Sequence, residues 1–262
     1  MLAASTDPVA NSLLAALPRR DYLHLLPALK PVALTFGEVL YEPGEVIRHV
    51  YFPNNSVVSL LTLVDGHQAL EVGLVGREGL VGIPLALGVG VTSVRALVQG
   101  AGTAMRMESA RFRGEFARCA PLQRELYRYA HVLMAQVTQT AACNRFHVVE
   151  ARLARWLLMT RDRVQSEQFR LTQEFLAHML GVRRVGVTHA AGALQRRKLI
   201  SYSRGKIRIL DQKGLEAASC GCYEIVKEAR EPVARMHSEK SAGRRGSSRS
   251  STEATTGSIH HG

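Results

Sequence analysis

The chain has 262 residues, 46% of them hydrophobic, which is enough for two modest domains with buried cores. No apolar run approaches the roughly 18 residues that a membrane span requires, and no signal peptide is recognisable, so we expect a cytoplasmic protein without membrane contact. Residues 145–262 contain 22 Lys and Arg and 11 Asp and Glu, which gives a net charge of +11. Residues 1–144 contain 12 Lys and Arg and 11 Asp and Glu, which gives a net charge of +1. This asymmetry favours a polyanion such as nucleic acid as partner, although a basic tail on a solvated surface would give the same sum.

The four cysteines do not fit a small secreted domain held by disulfides. They are Cys119, Cys143, Cys220 and Cys222. Cys220 and Cys222 are too close along the chain to bridge easily, and the two C-x2-C pairs that are typical of structural zinc are missing. We therefore expect reduced thiols and no bound metal.

The first 115 residues predict a short helical segment and then a β domain. Leucines at helical spacing over residues 8–27, interrupted by Pro18, predict two short helices within 1–30. Over residues 31–115, short apolar stretches separated by glycine-bearing turns indicate an antiparallel, jelly-roll-like β-roll. The predicted strands are 39–41, 46–52, 57–64, 69–75, 94–98 and 103–107, with turns at Pro43-Gly44 and Asp65-Gly66.

Residues 116–145 predict a long helix with one apolar stripe. The stripe consists of Leu122, Leu126, Tyr129, Leu133, Val137 and Thr140, which are three or four residues apart. This heptad-like spacing favours a seam between two copies of the chain and therefore a homodimer. The alternative is that the stripe covers the β domain of its own chain. A further helix is expected over 148–163.

Residues 146–222 show the pattern of a winged helix-turn-helix. Thr172 is a suitable N-cap for a helix that begins at Gln173, and Gly181 lies where this helix must end and the chain must turn. We expect a second helix whose buried face consists of Val185, Ala190, Ala191 and Leu194. Residues 203–206 (SRGK) lie between two short apolar runs and predict a hairpin with a basic tip, the wing.

The opposite face of the second helix and the wing carry side chains that can bond phosphates and base edges in a DNA groove. The predicted DNA-contacting residues are Thr172, Gln173, Arg183, Arg184, Val185, Thr188, His189, Gln195, Arg196, Ser203, Arg204 and Lys206. An ordinary packing unit with a basic face is the alternative interpretation. Residues 237–262 are rich in Ser, Arg, Gly and Thr and are predicted to be a disordered tail.

Residues 31–222 resemble the Crp/Fnr family of bacterial transcription regulators. The order of β-roll, long helix and winged helix-turn-helix matches, residues 36–45 (FGEVLYEPGE) are similar to the opening strand and turn of the family, and residues 76–82 (GREGLVG) are similar to its effector-binding segment. The resemblance implies a cyclic-nucleotide-binding-like β-roll, a homodimer, a palindromic operator and contact with RNA polymerase. The effector-pocket candidates are Gly76, Glu78, Gly79 and Arg95.

The chain departs from the family pattern at three places. Members that bind cyclic AMP carry an Arg-Ser/Thr pair shortly before the strand of Arg95, whereas residues 88–92 (GVGVT) have no arginine to pair a cyclic phosphate. Members with an iron–sulfur cluster use N-terminal cysteines, and no cysteine precedes Cys119. We therefore identify no cofactor. Val185 follows Arg184 where several relatives have glutamate, which predicts an unusual half-site with a thymine methyl as a candidate contact.

Two other classes of function are alternatives to the regulator. No nucleophile–base–orienter set and no phosphate loop occur in the sequence, so we expect no catalysis. A cupin-type metal enzyme could use His67 and Glu71, with His49 as a third ligand, but the usual His-x-His pair is absent. A ligand sensor with a purely architectural DNA-binding half is the third hypothesis.

Overall fold

The computed structural model describes residues 10–64, 68–164 and 166–230. The predicted tail, the Asp65-Gly66 turn and His67 lie outside these residues. The described chain opens with helices α1 (Ser12–Ala15) and α2 (Arg19–Leu25), and Pro18 is the N-cap of α2, as the leucine pattern predicted. Asn11 caps α1 by accepting hydrogen bonds from the backbone N–H groups of Leu13 and Leu14.

Two antiparallel sheets then form the β domain. The strands are β1 (Lys30–Leu34), β2 (Val39–Tyr41), β3 (His49–Pro53), β4 (Val57–Val64), β5 (Gln68–Val75), β6 (Arg95–Gly100) and β7 (Gly102–Glu108). Their orders are β1-β7-β3 and β2-β6-β4-β5. The side chains of Phe52, Val58, Val98 and Met107 are buried between them. Strand β1 was not predicted, because it contains Pro31 and buries only Leu34, as suits an edge strand.

Three helices follow the β domain. They are α3 (Ser109–Arg118), α4 (Ala120–Phe146) and α5 (Val149–Val164). Within the described residues, none of the helices combines the length and the apolar character needed to cross a membrane.

The apolar stripe predicted as a dimer seam faces inward on α4, which packs against β5 of its own chain. Leu122, Leu126, Tyr129, Leu133 and Thr140 are all buried within the protomer. Val137 is the exposed member of the predicted set. Side chains that are already covered within the protomer cannot also line a seam with a second copy, and Thr140 in addition accepts hydrogen bonds from Arg155 of α5.

The remaining elements form a winged helix-turn-helix. They are β8 (Gln168–Arg170), α6 (Gln173–Leu180), α7 (Arg184–Arg196), β9 (Ile200–Ser203), β10 (Lys206–Ile209) and α8 (Gln212–Ala218), and residues 222–230 are also helical. The strands pair in the order β8-β10-β9. Antiparallel sheets, a long helix and a C-terminal helix-turn-helix together confirm the predicted α+β class.

Candidate nucleic-acid interface

Helix α6 and the turn after it are fixed by local chemistry. The Thr172 hydroxyl accepts a hydrogen bond from the backbone N–H of Phe175 at 3.1 Å, which makes Thr172 the N-cap that the sequence predicted. Gly181 has a φ of +60°, and a Cβ at this position would approach Leu70 of β5 to 2.7 Å. The left-handed turn favours glycine here, and any larger residue would also have to displace the end of the Leu70 side chain.

Helix α7 presents a polar face to solvent because its apolar residues gather on the opposite side. Val187, Ala190, Ala191 and Leu194 are buried and follow the i, i+3, i+4, i+7 spacing of one helix face. The expectation that Val185 belongs to this face is wrong, since its side chain is 59% exposed. Two residues from Val187 along a helix amounts to about half a turn, so Val185 points away from the core and Val187 takes its place.

The N-terminal ends of α6 and α7 are joined by a small polar network. The Gln173 side-chain oxygen accepts a hydrogen bond from the Thr188 hydroxyl at 3.0 Å and a longer one from Arg184 Nε at 3.5 Å. All three side chains lie on one surface, and the network limits the positions that the Arg184 guanidinium can take.

Two hydrogen bonds hold the wing, one to α7 and one to the segment that precedes α6. Tyr202 donates its hydroxyl hydrogen to the Leu171 carbonyl at 2.9 Å, and Gln195 Nε2 donates to the Tyr202 carbonyl at 3.2 Å. Gln195, predicted to contact DNA, is thus engaged in positioning the wing. At the tip, Arg204 and Gly205 have φ angles of 49° and 73°, the two successive left-handed residues of a tight hairpin turn.

The structure brings the predicted residues together on one side of the domain. Six of them line an open groove of about 530 Å³ between α6, α7 and the wing: Thr172, Gln173, Arg184, Thr188, Gln195 and Arg204. Val185, His189 and Arg196 are exposed on α7, and Arg183 is exposed as the N-cap of this helix. Ser203 and Lys206 are exposed on the wing and line a second concavity along the three-stranded sheet.

The second concavity contains two arginines that sequence reasoning missed. Arg170 of β8 and Arg208 of β10 are exposed there next to Arg204 and Lys206. Lys206 lies directly opposite Arg170 in the sheet, and like charges in such a pair are destabilising. The alternation of cationic and apolar residues from Lys206 to Ile209 could have predicted that Arg208 shares an exposed face with Lys206. A cationic sheet face that costs stability is suited to a polyanionic partner.

The effector-pocket candidates are not gathered at one place. Glu78 forms an ion pair with Arg163 of α5, with Nε and Oε1 at 2.7 Å. Burial raises the pKa of Glu78, but the guanidinium groups of Arg163 and Arg230 hold this pKa below its usual value. A Cβ at Gly76 would meet the Arg163 side chain at 2.9 Å, so this segment is packed against α5.

Arg95 lies further along the sheet than the other candidates. Gly76 and Gly79 follow Val75, which is opposite Val58, whereas Arg95 is opposite Leu61. The separation along β4 is about 10 Å for three residues. Arg95 forms an ion pair with Glu42 at 2.9 Å, so its charge is already matched within the β domain.

Of the proposed ligands of the alternative metal enzyme, the two that the structure describes do not lie together either. Glu71 is buried, and its carboxylate accepts hydrogen bonds from the Ser59 hydroxyl at 2.7 Å and from Trp156 Nε1 at 3.0 Å. His49 lies on β3 in the other sheet, opposite Glu108. The metal-enzyme interpretation therefore has no support in this geometry.

Comparison with known proteins agrees with the geometry. The family model of the Crp-like helix-turn-helix domain matches residues 151–218, which lie inside the predicted 146–222. None of the curated proteins matches the chain in sequence.

Solved structures extend the comparison to most of the chain. FixK2 from Bradyrhizobium japonicum has a TM-score of 0.63 at 12% identity and covers 74% of this chain and 98% of its own. The c-di-GMP-responsive global regulator CLP of Xanthomonas campestris gives 0.61 at 17% identity over 73% and 99%. A CRP/FNR family transcriptional regulator from Thermus thermophilus gives 0.59 at 22% over 72% and 98%. The chain thus has the fold of Crp/Fnr-type transcription regulators and carries a Crp-like helix-turn-helix domain.

Proposed function

We propose that the chain is a sequence-specific transcription regulator that binds a palindromic operator as a homodimer. The observation that carries the proposal is the exposed polar face of α7, which lies across one groove from the N-terminus of α6 and from a cationic wing. A helix so placed fits a major groove, and a dimer would set two half-sites roughly 34 Å apart. RNA polymerase as a further partner and a cytoplasmic site of action belong to the same proposal.

The residues divide into two roles on the DNA. Arg184 is placed to hold a guanine edge with its two-pronged guanidinium, and Val185 beside it to contact a thymine methyl. Phosphate contacts come from Arg183, from the Thr172 end of α6 and from the wing. Phosphate contacts fix position and supply affinity, whereas base contacts supply sequence preference.

The two roles predict different effects of mutation on a site selected from a random DNA pool. Arg184→Ala should cost about 1–3 kcal/mol on that site and relax the preference at one base position. The double change Arg204→Gln, Lys206→Gln should weaken binding to all sequences and lower the slope of log K against log salt by about 0.9 per lost phosphate contact. Fluorescence anisotropy at several salt concentrations measures both.

Arg48→Gln is the matched control, since it removes an exposed charge from the β domain. It should leave the base preference unchanged. It should also change the salt slope less than the wing variant does. Unchanged operator affinity in both the Arg184 and the wing variants would show that this surface is not the one that meets DNA.

For the dimer we propose the outer face of α4 in place of the buried stripe. The face carries Tyr127, Ala130, Met134, Val137 and Ala141, which are separated by three and four residues in alternation. Tyr127 and Met134 are 51% and 62% exposed, unusual values for large apolar side chains on one helix. A second copy of the chain, packed along this stripe, would remove them from water.

Met134→Lys should therefore raise the dissociation constant of the dimer by more than about 100-fold, because each of two copies loses roughly 1.5–3 kcal/mol of burial. Sedimentation equilibrium measures the constant. Leu23→Lys changes a similarly exposed apolar residue on α2 and should leave it unaltered. A dimer that survives Met134→Lys at full strength would place the seam elsewhere.

For the β domain we propose that neither cyclic AMP nor an iron–sulfur cluster is the ligand. Residues 88–92 supply no arginine for a cyclic phosphate. Glu78, the residue that could face a ribose hydroxyl, is engaged by Arg163. In the same proposal the chain binds DNA and is not an enzyme.

A further inference from the structure

Three of the four cysteines meet one histidine at the junction between the long helix and the C-terminal segment. Cys143 lies in the last turn of α4, His147 caps the same helix, and Cys220 and Cys222 follow α8. One ligand atom from each residue lies within 4.8 Å of all the others. The three thiols are buried, and His147 is exposed at the edge of the cluster.

Two distances within the cluster are close to those of a mononuclear tetrahedral site. The Sγ atoms of Cys143 and Cys220 are 3.4 Å apart, and Cys222 Sγ lies 3.5 Å from His147 Nδ1. Zinc, with Zn–S bonds of about 2.3 Å and Zn–N bonds of about 2.0–2.1 Å, places its ligand atoms roughly 3.5–3.8 Å apart. Since no two of the ligand atoms are more than 4.8 Å apart, side-chain movements of about 1 Å would bring all four to these spacings.

Two arginines next to the cysteine cluster favour a negative charge there. Arg152 and Arg155 of α5 act electrostatically on Cys143 and Cys220. Within the described part of the chain, neither guanidinium forms a salt bridge, and the Nε atom of each is buried without a hydrogen-bond partner. Arg155 also acts electrostatically on Glu71, but buried cations without an ion-pair partner are costly. Three thiolates around a divalent ion carry a net charge of −1, which these arginines would compensate.

Gln139 completes the arrangement. It is located one helical turn before Cys143, and its Nε2 atom donates to Cys222 Sγ at 3.0 Å. A hydrogen bond of this kind orients a thiolate ligand and favours its deprotonated form.

We propose that Cys143, His147, Cys220 and Cys222 bind one structural zinc ion. Binding replaces the protons of three thiols, which are released to solvent, and leaves the imidazole neutral with Nδ1 on the metal. The ion would tie the end of α4 to the segment after α8 and so fix the helix-turn-helix domain to the long helix.

Two other uses of the cluster fit less well. A disulfide between Cys143 and Cys220 would need an oxidant and would leave Cys222, His147 and the two arginines without a role. An iron–sulfur cluster distributes its ligands over several irons, which requires sulfur atoms further apart than this compact group. Thiolate and imidazole ligands in a tetrahedral arrangement favour zinc.

Metal analysis of the full chain, purified under reducing conditions, tests the proposal. We expect about one zinc per chain by mass spectrometry of the eluted metal. Cobalt exchanged into the same protein should give the visible absorption of a tetrahedral thiolate complex, a readout that needs no mutation. Gln139→Ala should weaken zinc affinity by about 10–100-fold in a chelator competition while leaving the stoichiometry unchanged.

Cysteine variants then assign the ligands. Cys143→Ser and Cys222→Ser should lose the zinc, whereas His147→Cys should keep it, because a fourth thiolate can replace the imidazole. Cys119→Ser is the matched control: this cysteine is also buried but lies outside the cluster at the start of α4, so the zinc should remain. Circular dichroism of each variant separates metal loss from unfolding.

A protein that takes up no zinc and shows no cobalt–thiolate absorption would overturn the proposal. So would a Cys143–Cys220 disulfide in the reduced preparation, or iron with inorganic sulfide in the purified chain. DNA binding is measured on the same sample, so that a failure of the zinc site is distinguished from a failure of the regulator proposal.

Discussion

Replacing Arg163 with methionine should lower the free energy of unfolding by about 3–5 kcal/mol, because the change removes a buried cation with its hydrogen bonds and leaves the partly buried Glu78 carboxylate without its ion-pair partner. The Arg163 side chain is 2% exposed. Besides Glu78, it donates hydrogen bonds to the Met159 carbonyl at 3.0 Å and to the Gln136 side-chain oxygen at 2.9 Å. One guanidinium thus joins α5, α4 and the segment after β5.

Urea unfolding, followed by circular dichroism and by the fluorescence of the single tryptophan, measures this loss. Arg161→Met is the matched control on the same helix, since it breaks an ion pair with the more exposed Glu167 and should cost only about 0–1 kcal/mol. The double variant Arg163→Met, Glu78→Gln should be more stable than Arg163→Met alone, because it removes the uncompensated charge. Equal costs for the two single arginine variants would contradict a buried ion pair.

The defect should also depend on pH. In the native chain the Glu78 pKa is held low, so its contribution to stability is present above the unfolded value and is lost as the pH falls through the folded value. Without Arg163, only Arg230 of the two guanidinium groups opposes the effect of burial, so the pKa of Glu78 rises and the folded chain takes up this proton at a higher pH. The difference in stability between wild type and Arg163→Met should therefore shrink as the pH is lowered.

The fold was largely predictable because its signals are local. Thr172 as a cap, Gly181 as a left-handed turn and SRGK as a hairpin tip each depend on a few neighbouring residues, and each is found where it was predicted. Val185 was misplaced because the helix begins at Arg184, and a shift of two residues in the helical phase exchanges it with Val187.

The long-range features could not be read from the sequence in the same way. A stripe at heptad spacing predicts that a helix face is covered. It does not show whether the β domain of the same chain or a second copy covers it, and on α4 the inner and the outer stripe both follow this spacing. The cysteine cluster joins residues that are 77 positions apart. The spacing of the cysteines along the sequence predicted no metal site, because two of the four candidate ligands come from a distant segment.

Glu71 supplies the second large effect, a loss of stability as the pH rises. Burial raises its pKa to about 7, and this outweighs the opposing effects of the Ser59 hydrogen bond and of Arg155. The folded chain then binds a proton more tightly than the unfolded chain, whose glutamate pKa is about 4.3. The contribution of Glu71 to the free energy of unfolding should therefore fall between about pH 4.5 and 7, by roughly 3 kcal/mol in full.

The hydrogen bonds around Glu71 favour the neutral acid. The Ser59 hydroxyl lies 2.7 Å from the Glu71 carboxylate and 2.6 Å from the Gln99 side-chain oxygen, but it has one hydrogen to donate. If Glu71 carries a proton, it donates to Ser59, and Ser59 donates to Gln99. Gln99 in turn donates to Thr160 of α5 at 3.0 Å, so the chain of bonds runs from the β domain into the DNA-binding half.

Glu71→Gln should therefore flatten the pH dependence of stability between pH 5 and 8 and make the variant the more stable protein at pH 8. The glutamine amide can donate to Ser59 and accept from Trp156, so it preserves the neutral network at every pH. Trp156 is the single tryptophan, and its indole bonds Glu71 directly, so a fluorescence titration of the folded protein should show a transition near pH 7 that the variant lacks. Glu174→Gln, at an exposed position on α6, should retain both the slope and the transition. A slope that persists in Glu71→Gln would assign the pH dependence to another group.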